Sequence, residues 1–186
     1  TTAFGAWAGS KDVRVFAAEN PKLNPLNYVE VQGQPGTTLN MGGLGGVKFG
    51  YNGPRQSGLS VIDRPGMAVE LVRDAKGNSV PVYGQSASSS TTPGHGSTIL
   101  AVARALAASG EYEYVVMQRS WRTATGRVGT SRSIPDVIGV RRDGTVNAWE
   151  VMSAADKEAS LFNRLLSGRD TLPASNQGAI QVIPPK

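Results

Sequence analysis

The sequence predicts an α/β (α+β) domain over residues 94–186. A β-rich, Gly/Pro-rich region over residues 1–93 precedes it and ends in a Ser/Thr-rich linker. Three observations carry this. Apolar residues make up 39% and charged residues 18% of the 186, enough for a core and too few charges for a disordered chain. The 23 glycines and 11 prolines imply many turns. In the second half the hydrophobic period switches in the order helix, strand, strand, strand, helix, strand.

In the first region, β-like runs at 12–16, 28–32, 47–51 and 67–73 are punctuated by turns such as Gln34-Pro35-Gly36 and Asn52-Gly53-Pro54. Asp74-Ala75-Lys76-Gly77-Asn78 suits a hairpin turn between 68–72 and 80–83. The run Gly42-Gly43-Leu44-Gly45-Gly46 reads as a flexible turn. Neither Gly-Lys-Ser/Thr nor a helical pattern follows it, as a phosphate loop requires. Residues 85–94 form the Ser/Thr-rich linker, and no internal repeat is visible.

In the second region a helix is expected to begin at Ser97 or Thr98, whose hydroxyls can cap backbone N–H groups. Ile99, Leu100, Ala103, Leu106 and Ala107 form its apolar stripe, and Gly110 ends it. A strand follows at 112–119, then a loop or irregular hairpin at 123–133. Strands at 136–141 and 145–152 flank the turn Arg142-Asp143-Gly144. Ser153 and Asp156 have capping-box spacing for a helix that runs to Ser167 and stops at Gly168. Ala159, Phe162, Leu165 and Leu166 are its expected buried face, and 179–183 is the last strand.

Composition excludes several chemistries. Cysteine is absent, which removes disulfides, thiolate catalysis and cysteine zinc sites. The single histidine, His95, argues against zinc sites that need two or more. No apolar run approaches the ~18 residues of a membrane-spanning helix, so no membrane insertion is expected. Residues 1–7 lack the basic-then-apolar pattern of a secretory signal. The opening Thr1-Thr2 is what a processed piece of a longer chain would show.

The net charge of +5 mildly favours an anionic partner. Between residues 119 and 143 lie Arg119, Arg122, Arg127, Arg132, Arg141 and Arg142, against only Asp136 and Asp143. The forked guanidinium suits phosphate oxygens, so such a cluster fits a nucleic-acid backbone. A solvated hairpin surface fits the same pattern.

Asp136 and Glu150 can be placed by counting. If Arg142-Asp143-Gly144 is a three-residue turn, Arg141 pairs with Thr145 and Asp136 lies opposite Glu150 on one sheet face. Gly144 supplies the left-handed residue that such a turn wants in its third position. A two-residue turn would put the carboxylates on opposite faces. In the first register Val137, Trp149 and Val151 face the other way, into a core. Two neighbouring carboxylates repel unless a cation joins them. A divalent ion with oxygen ligands, Mg²⁺ or Mn²⁺, does so and can activate water near a phosphate. Pairing of these acids with Arg141 or Arg142 on a solvent-exposed hairpin is the plain structural alternative.

Ser133-Ile134-Pro135-Asp136-Val137-Ile138-Gly139, the turn, and Ala148-Trp149-Glu150-Val151-Met152-Ser153 together resemble the PD-(D/E)XK nuclease superfamily. The resemblance covers about 95–186. It is closest to nuclease domains at the C-termini of polymorphic bacterial toxins, such as Rhs and contact-dependent toxins. Those domains carry, in order, a Leu-Ala-Ala-Ser-Gly helix end, an Arg-Thr-Ala-Thr-Gly loop and a Pro-Asp-Val-Ile-Gly strand. The same runs stand here at 106–110, 122–126 and 135–139.

The resemblance implies a central mixed sheet flanked by helices and metal-dependent hydrolysis of phosphodiesters, with DNA favoured over RNA. Asp136 and Glu150 would be the Mg²⁺ or Mn²⁺ ligands. Arg119, Arg122, Arg127 and Arg132 would hold the nucleic-acid backbone. It further implies a larger parent toxin, action in the cytoplasm of a target bacterial cell, and an immunity protein presenting an acidic face.

This chain departs from the pattern at Met152, where Lys, sometimes Gln, is usual; a thioether donates no hydrogen bond. Lys157, or less readily Arg164, is expected to reach in from the following helix as the catalytic cation. The helix at 98–109 carries no acid where many relatives place a Glu, which leaves Glu111 and Glu113, just beyond its end, as candidate outer ligands, with solvation at a strand edge the plain alternative. His95 and Gln118 are further accessory candidates, as a general base or phosphate contact and as a water or base contact. Trp121, between Arg119 and Arg122, suits base stacking or, more commonly, partial burial.

Two other classes compete. Glu111-Tyr112-Glu113, preceded by Arg73 and Ser90-Thr91-Thr92, matches the motif order of ADP-ribosylating toxins. That reading implies NAD and no metal. A non-catalytic binding module would tolerate Asp136→Ala and Glu150→Ala.

Overall fold

The computed structural model describes residues 56–86 and 92–184. The expected strands at 12–16, 28–32 and 47–51 and the Gly-rich run at 42–46 lie outside them. The described residues 56–67, 72–86 and 92–184 belong to one compact unit, to which all that follows belongs except the first residues of β1.

Six strands make a mixed sheet in chain order: β1 (Val69–Arg73), β2 (Ser79–Gly84), β3 (Tyr112–Met117), β4 (Val137–Arg141), β5 (Val146–Val151) and β6 (Gln177–Ile183). The helices are α1 (His95–Ala108), the single turn α2 (Trp121–Ala124) and α3 (Glu158–Arg169), with a 3₁₀ turn at Ala174–Asn176. β3, β4 and β5 form an antiparallel meander, while β2 pairs with β3 and β5 with β6 in parallel. The parallel pairs need crossovers, and α1 and α3 supply them. The sheet with its flanking helices is an α/β architecture, as expected. The expected boundary at residue 93 falls between β2 and α1, and the strands on either side of it share this sheet.

Each helix covers one face. Ile99, Ala103 and Ala107 recur at four-residue spacing and pack against Val80, Val82, Val115, Met117, Val137, Trp149 and Val151. Alternation along the strands sends Tyr114, Ile138 and Ala148, all fully buried, to the other face. There α3 packs on β5 and β6 through Leu161 and Leu165. The loss of apolar contact with water on both faces is what holds the sheet.

Several boundaries differ from expectation for local reasons. Helix α1 starts at His95 because Gly94 takes a left-handed φ of 78° at the N-cap. The Ser97 hydroxyl donates back to the Gly94 carbonyl at 2.9 Å rather than capping an N–H. Ser153 and Asp156 do bond, the Asp156 carboxylate accepting from the Ser153 N–H at 2.7 Å, but they close a turn upstream of α3. Gly168 lies inside α3 rather than ending it. A Cβ there would overlap the Trp121 indole nitrogen, so the glycine lets the helix touch the ring. That contact rotates α3 so that Leu161, Leu165 and Gly168 face inward. Phe162, expected to be buried, is 42% exposed, and Ala159 is exposed too. Trp121 itself is fully buried, so its indole is core rather than a stacking platform.

Candidate active site

The β4–β5 hairpin sets the site. Its turn closes by the Arg141 N–H donating to Thr145 O at 2.9 Å and the Gly144 N–H to Arg141 O at 3.0 Å. Gly144 has φ 88°, the left-handed value that a three-residue loop places in its third position. The ladder then runs Val140↔Val146, Gly139↔Asn147, Ile138↔Ala148 and Val137↔Trp149. One step further, Asp136 stands opposite Glu150. Both lie on the face covered by α3, because Val137, Trp149 and Val151 occupy the α1 face.

Both acids are buried, Asp136 at 9% and Glu150 at 2% exposure. Asp136 Oδ2 accepts from the Val151 N–H at 2.8 Å, which fixes that carboxylate against the end of β5. Glu150 Oε1 accepts from Arg164 Nε at 3.0 Å and Nη2 at 2.6 Å. Burial first, and the Asp136 charge second, push the Glu150 carboxyl up from 4.5 to about 8, with Arg164 pulling the other way. Ionising both acids at once is thus unfavourable, and one arginine closes over Glu150.

His95 reaches the same place. As the first residue of α1 it sets Nε2 at 2.8 Å from Val151 O and 3.9 Å from Asp136 Oδ2. A carbonyl only accepts, so Nε2 carries a proton. The Thr92 hydroxyl, accepting from the Ala154 N–H at 3.0 Å, ties the same helix entry to the end of β5. Gln118 adjoins the site through its backbone: its N–H donates to Asp136 O at 3.0 Å, and its φ is 48°. A non-glycine residue in the left-handed region is uncommon, and such strain is found at functional sites.

The arginine cluster divides. Arg119, Arg122, Arg127 and Arg132 lie on the connection between β3 and β4, at the Asp136 end of the sheet. That connection is closed by Trp121 N–H to Ser133 O at 3.3 Å and Arg122 N–H to Ser131 O at 3.0 Å. Arg127 and Arg132 are exposed, and Arg119 is held by its Nη1 donating to Gln118 O at 2.9 Å. Arg141 and Arg142 sit at the opposite, turn end, about 17 Å away at ~3.4 Å per residue. There Arg142 bonds Gly110 O at 3.0 Å and pairs with Asp74 at 3.5 Å. An open groove of about 390 Å³ lies at that same end, lined by Lys76, Glu111, Arg141, Arg142 and Asp143 among others.

Two expected residues are elsewhere. Lys157 is the exposed N-cap of α3, and the cation on Glu150 is Arg164, two turns into the helix. Leu161, Leu165 and Gly168 turn inward, and Arg164 is three residues from the first and four from the last, on the sheet-facing flank. Of the two cations the sequence offered, the less favoured one is in place; an inward face built on Leu161 with Leu165, rather than on Phe162, puts Arg164 ahead of Lys157. Glu113 is 5% exposed near the turn end, where Tyr112 pairs with Arg141. Its carboxylate accepts from the Gln56 and Ser57 N–H groups and the Ser57 hydroxyl, so it is remote from Asp136 and already satisfied.

The donor set bears on metal identity. Among the described residues, no group of three or more His, Cys, Asp or Glu side chains is arranged to hold an ion. Two carboxylates with the remaining positions left to water fit Mg²⁺ or Mn²⁺, which are commonly held by one or two carboxylates, and do not fit a closed zinc site. Among the described residues, no helix is long and apolar enough to cross a membrane. No protein family, curated protein or solved structure matches the chain.

Proposed function

We propose that this protein is a metal-dependent nuclease, acting on DNA in preference to RNA, with Asp136 and Glu150 as the ligands of a Mg²⁺ or Mn²⁺ ion. One observation carries the reading: two buried carboxylates meet across β4 and β5, where burial first and the Asp136 charge second push the Glu150 carboxyl up to about 8, an arrangement that a divalent cation relieves. The order α1, β3-β4-β5 meander, α3, with β6 parallel to β5, supports it, since this is the element order of the superfamily the sequence resembles.

When bound, the ion would activate water and offset charge on the scissile phosphate. The chain's own groups do the rest. The Val151 N–H holds Asp136 in place. His95, donating from Nε2 to Val151 O and lying 3.9 Å from Asp136 Oδ2, ties the start of α1 to the end of β5 beside the two carboxylates. Arg127 and Arg132, with Arg119 and Arg122 behind them, give the nucleic-acid backbone a positive approach at this end of the sheet. In biological terms the reading is that of the toxic tip of a larger bacterial effector. It would act in a target cell's cytoplasm and be neutralised by an immunity protein with an acidic face.

Purified protein is to be incubated with plasmid DNA and with total RNA, in Mg²⁺ or in EDTA, beside Glu150→Gln. Cleavage is expected in Mg²⁺ only, and at least ~100-fold slower in the variant. Cleavage that persists in EDTA and is unchanged by the substitution refutes the metal site. A binding module is the second reading, favoured by the Arg164–Glu150 pair, which is complete without a metal. It predicts no cleavage by either protein.

A further inference from the structure

We propose that Arg164 is the phosphate-binding cation of this site, held on Glu150 until a divalent ion takes that carboxylate; the inference rests on the nuclease reading above. The guanidinium uses one edge on Glu150, Nε and Nη2 both reaching Oε1. Two of its five N–H donors are thereby committed, and three remain for another acceptor. Half of the side chain is exposed while Glu150 is almost wholly covered, so Arg164 lies between the acid and solvent. Any polyanion approaching these carboxylates meets that guanidinium before it meets them.

The chemistry of exchange follows from charge. A cation on Glu150 competes with Arg164 for the same oxygen, and two positive groups at one oxygen repel. The displaced arginine stays anchored by α3, whose Leu161 and Leu165 are packed on the sheet. It then faces a site that has become positive, where its fork matches two oxygens of a phosphodiester. Lys157 cannot substitute from its place: it caps α3 in solvent, has no ion pair among the described residues, and offers a point charge rather than a fork.

Two measurements on the full chain test this. Fluorescence anisotropy reads binding of a labelled DNA duplex and of the matching RNA, with Ca²⁺ replacing Mg²⁺ to suppress cleavage. Titration calorimetry with Mn²⁺ reads the metal site separately. Arg164→Gln is expected to weaken nucleic-acid binding about tenfold and to lower the slope of log affinity against log salt by about 1, with Mn²⁺ binding retained. Arg164→Lys should recover part of the loss, and Lys157→Gln should change neither reading.

Loss of the arginine alone leaves a buried acid unpaired and can unfold the chain. Glu150→Gln is therefore compared with E150Q/R164Q, in which no buried charge is stranded. The double variant should bind nucleic acid about tenfold more weakly than the single one. Equal affinities in that pair, or an unchanged affinity in Arg164→Gln, overturn the assignment. Mn²⁺ heat present in the wild type and absent in Glu150→Gln would then leave the nuclease reading standing. No Mn²⁺ heat in the wild type overturns both.

Discussion

The two ends of the sheet hold similar buried acids and meet them differently. At the turn end, buried acids are met by donors of the surrounding backbone and side chains. Asp74, 6% exposed, accepts from the Lys76 and Asn78 N–H groups and pairs with Arg142. Glu113 is met by two N–H groups and a hydroxyl from residues 56 and 57. At the open end, Asp136 and Glu150 are buried to a like degree; Asp136 accepts from the Val151 N–H, whereas Glu150, among the described residues, is met by an arginine and faces the other carboxylate. Burial therefore does not distinguish the proposed metal ligands from the acids at the turn end. The difference lies in whether the fold supplies fixed donors, which stabilise the charge, or a second negative charge, which leaves it seeking a cation.

The comparison breaks most visibly on substitution. Glu150→Gln should abolish metal-dependent cleavage and raise the stability of the metal-free protein. Glu113→Gln should do the reverse: thermal unfolding shows a loss of about 1–3 kcal/mol, because buried donors lose a charged acceptor, while Mg²⁺-dependent cleavage survives. Equal loss of cleavage in both variants would mean that the two ends are not separate.

A smaller effect sharpens it through pH. The Glu150 carboxyl is raised from 4.5 to about 8, so in EDTA the folded state keeps a proton that the unfolded chain has released. Its stabilising contribution is complete below pH 4.5 and is lost as pH rises through 8. Unfolding midpoints should therefore fall across that window in the wild type relative to Glu150→Gln. Mn²⁺ affinity should rise across it, since the ion binds the ionised form. A wild-type profile parallel to that of Glu150→Gln would contradict the account.

The smallest effect is expected at Asp143. It is exposed, and its carboxyl is held below the usual range by the Thr145 N–H, bonded at 2.9 Å. Asp143→Asn should leave cleavage and Mn²⁺ binding unchanged, and circular dichroism should show the same fold. A loss of cleavage would place the turn end in the reaction after all.

Much of the candidate site was open to counting. A three-residue turn ending in Gly144 dictates that residues 136 and 150 face each other, since strand pairing conserves the sum of partner numbers. Helix and strand order follows from periodicity for the same local reason. Helix α3 was less legible, because Ala159, Phe162 and Leu166 offer a stripe nearly as apolar as the one used. A glycine against Trp121, 47 residues away in sequence, decides between them.

By itself the sequence determined the alternation of elements and, granted a three-residue turn at 142–144, the register and shared face of Asp136 and Glu150, all consequences of short-range geometry; the turn's hydrogen bonds then select that register over the two-residue alternative. Only the tertiary structure decided which cation answers Glu150, which arginines accompany it, that His95 reaches the end of β5, and that Glu113 is claimed by residues 56 and 57. Those outcomes depend on contacts between segments distant in the chain, where packing and the satisfaction of buried charge, rather than residue spacing, choose the partner.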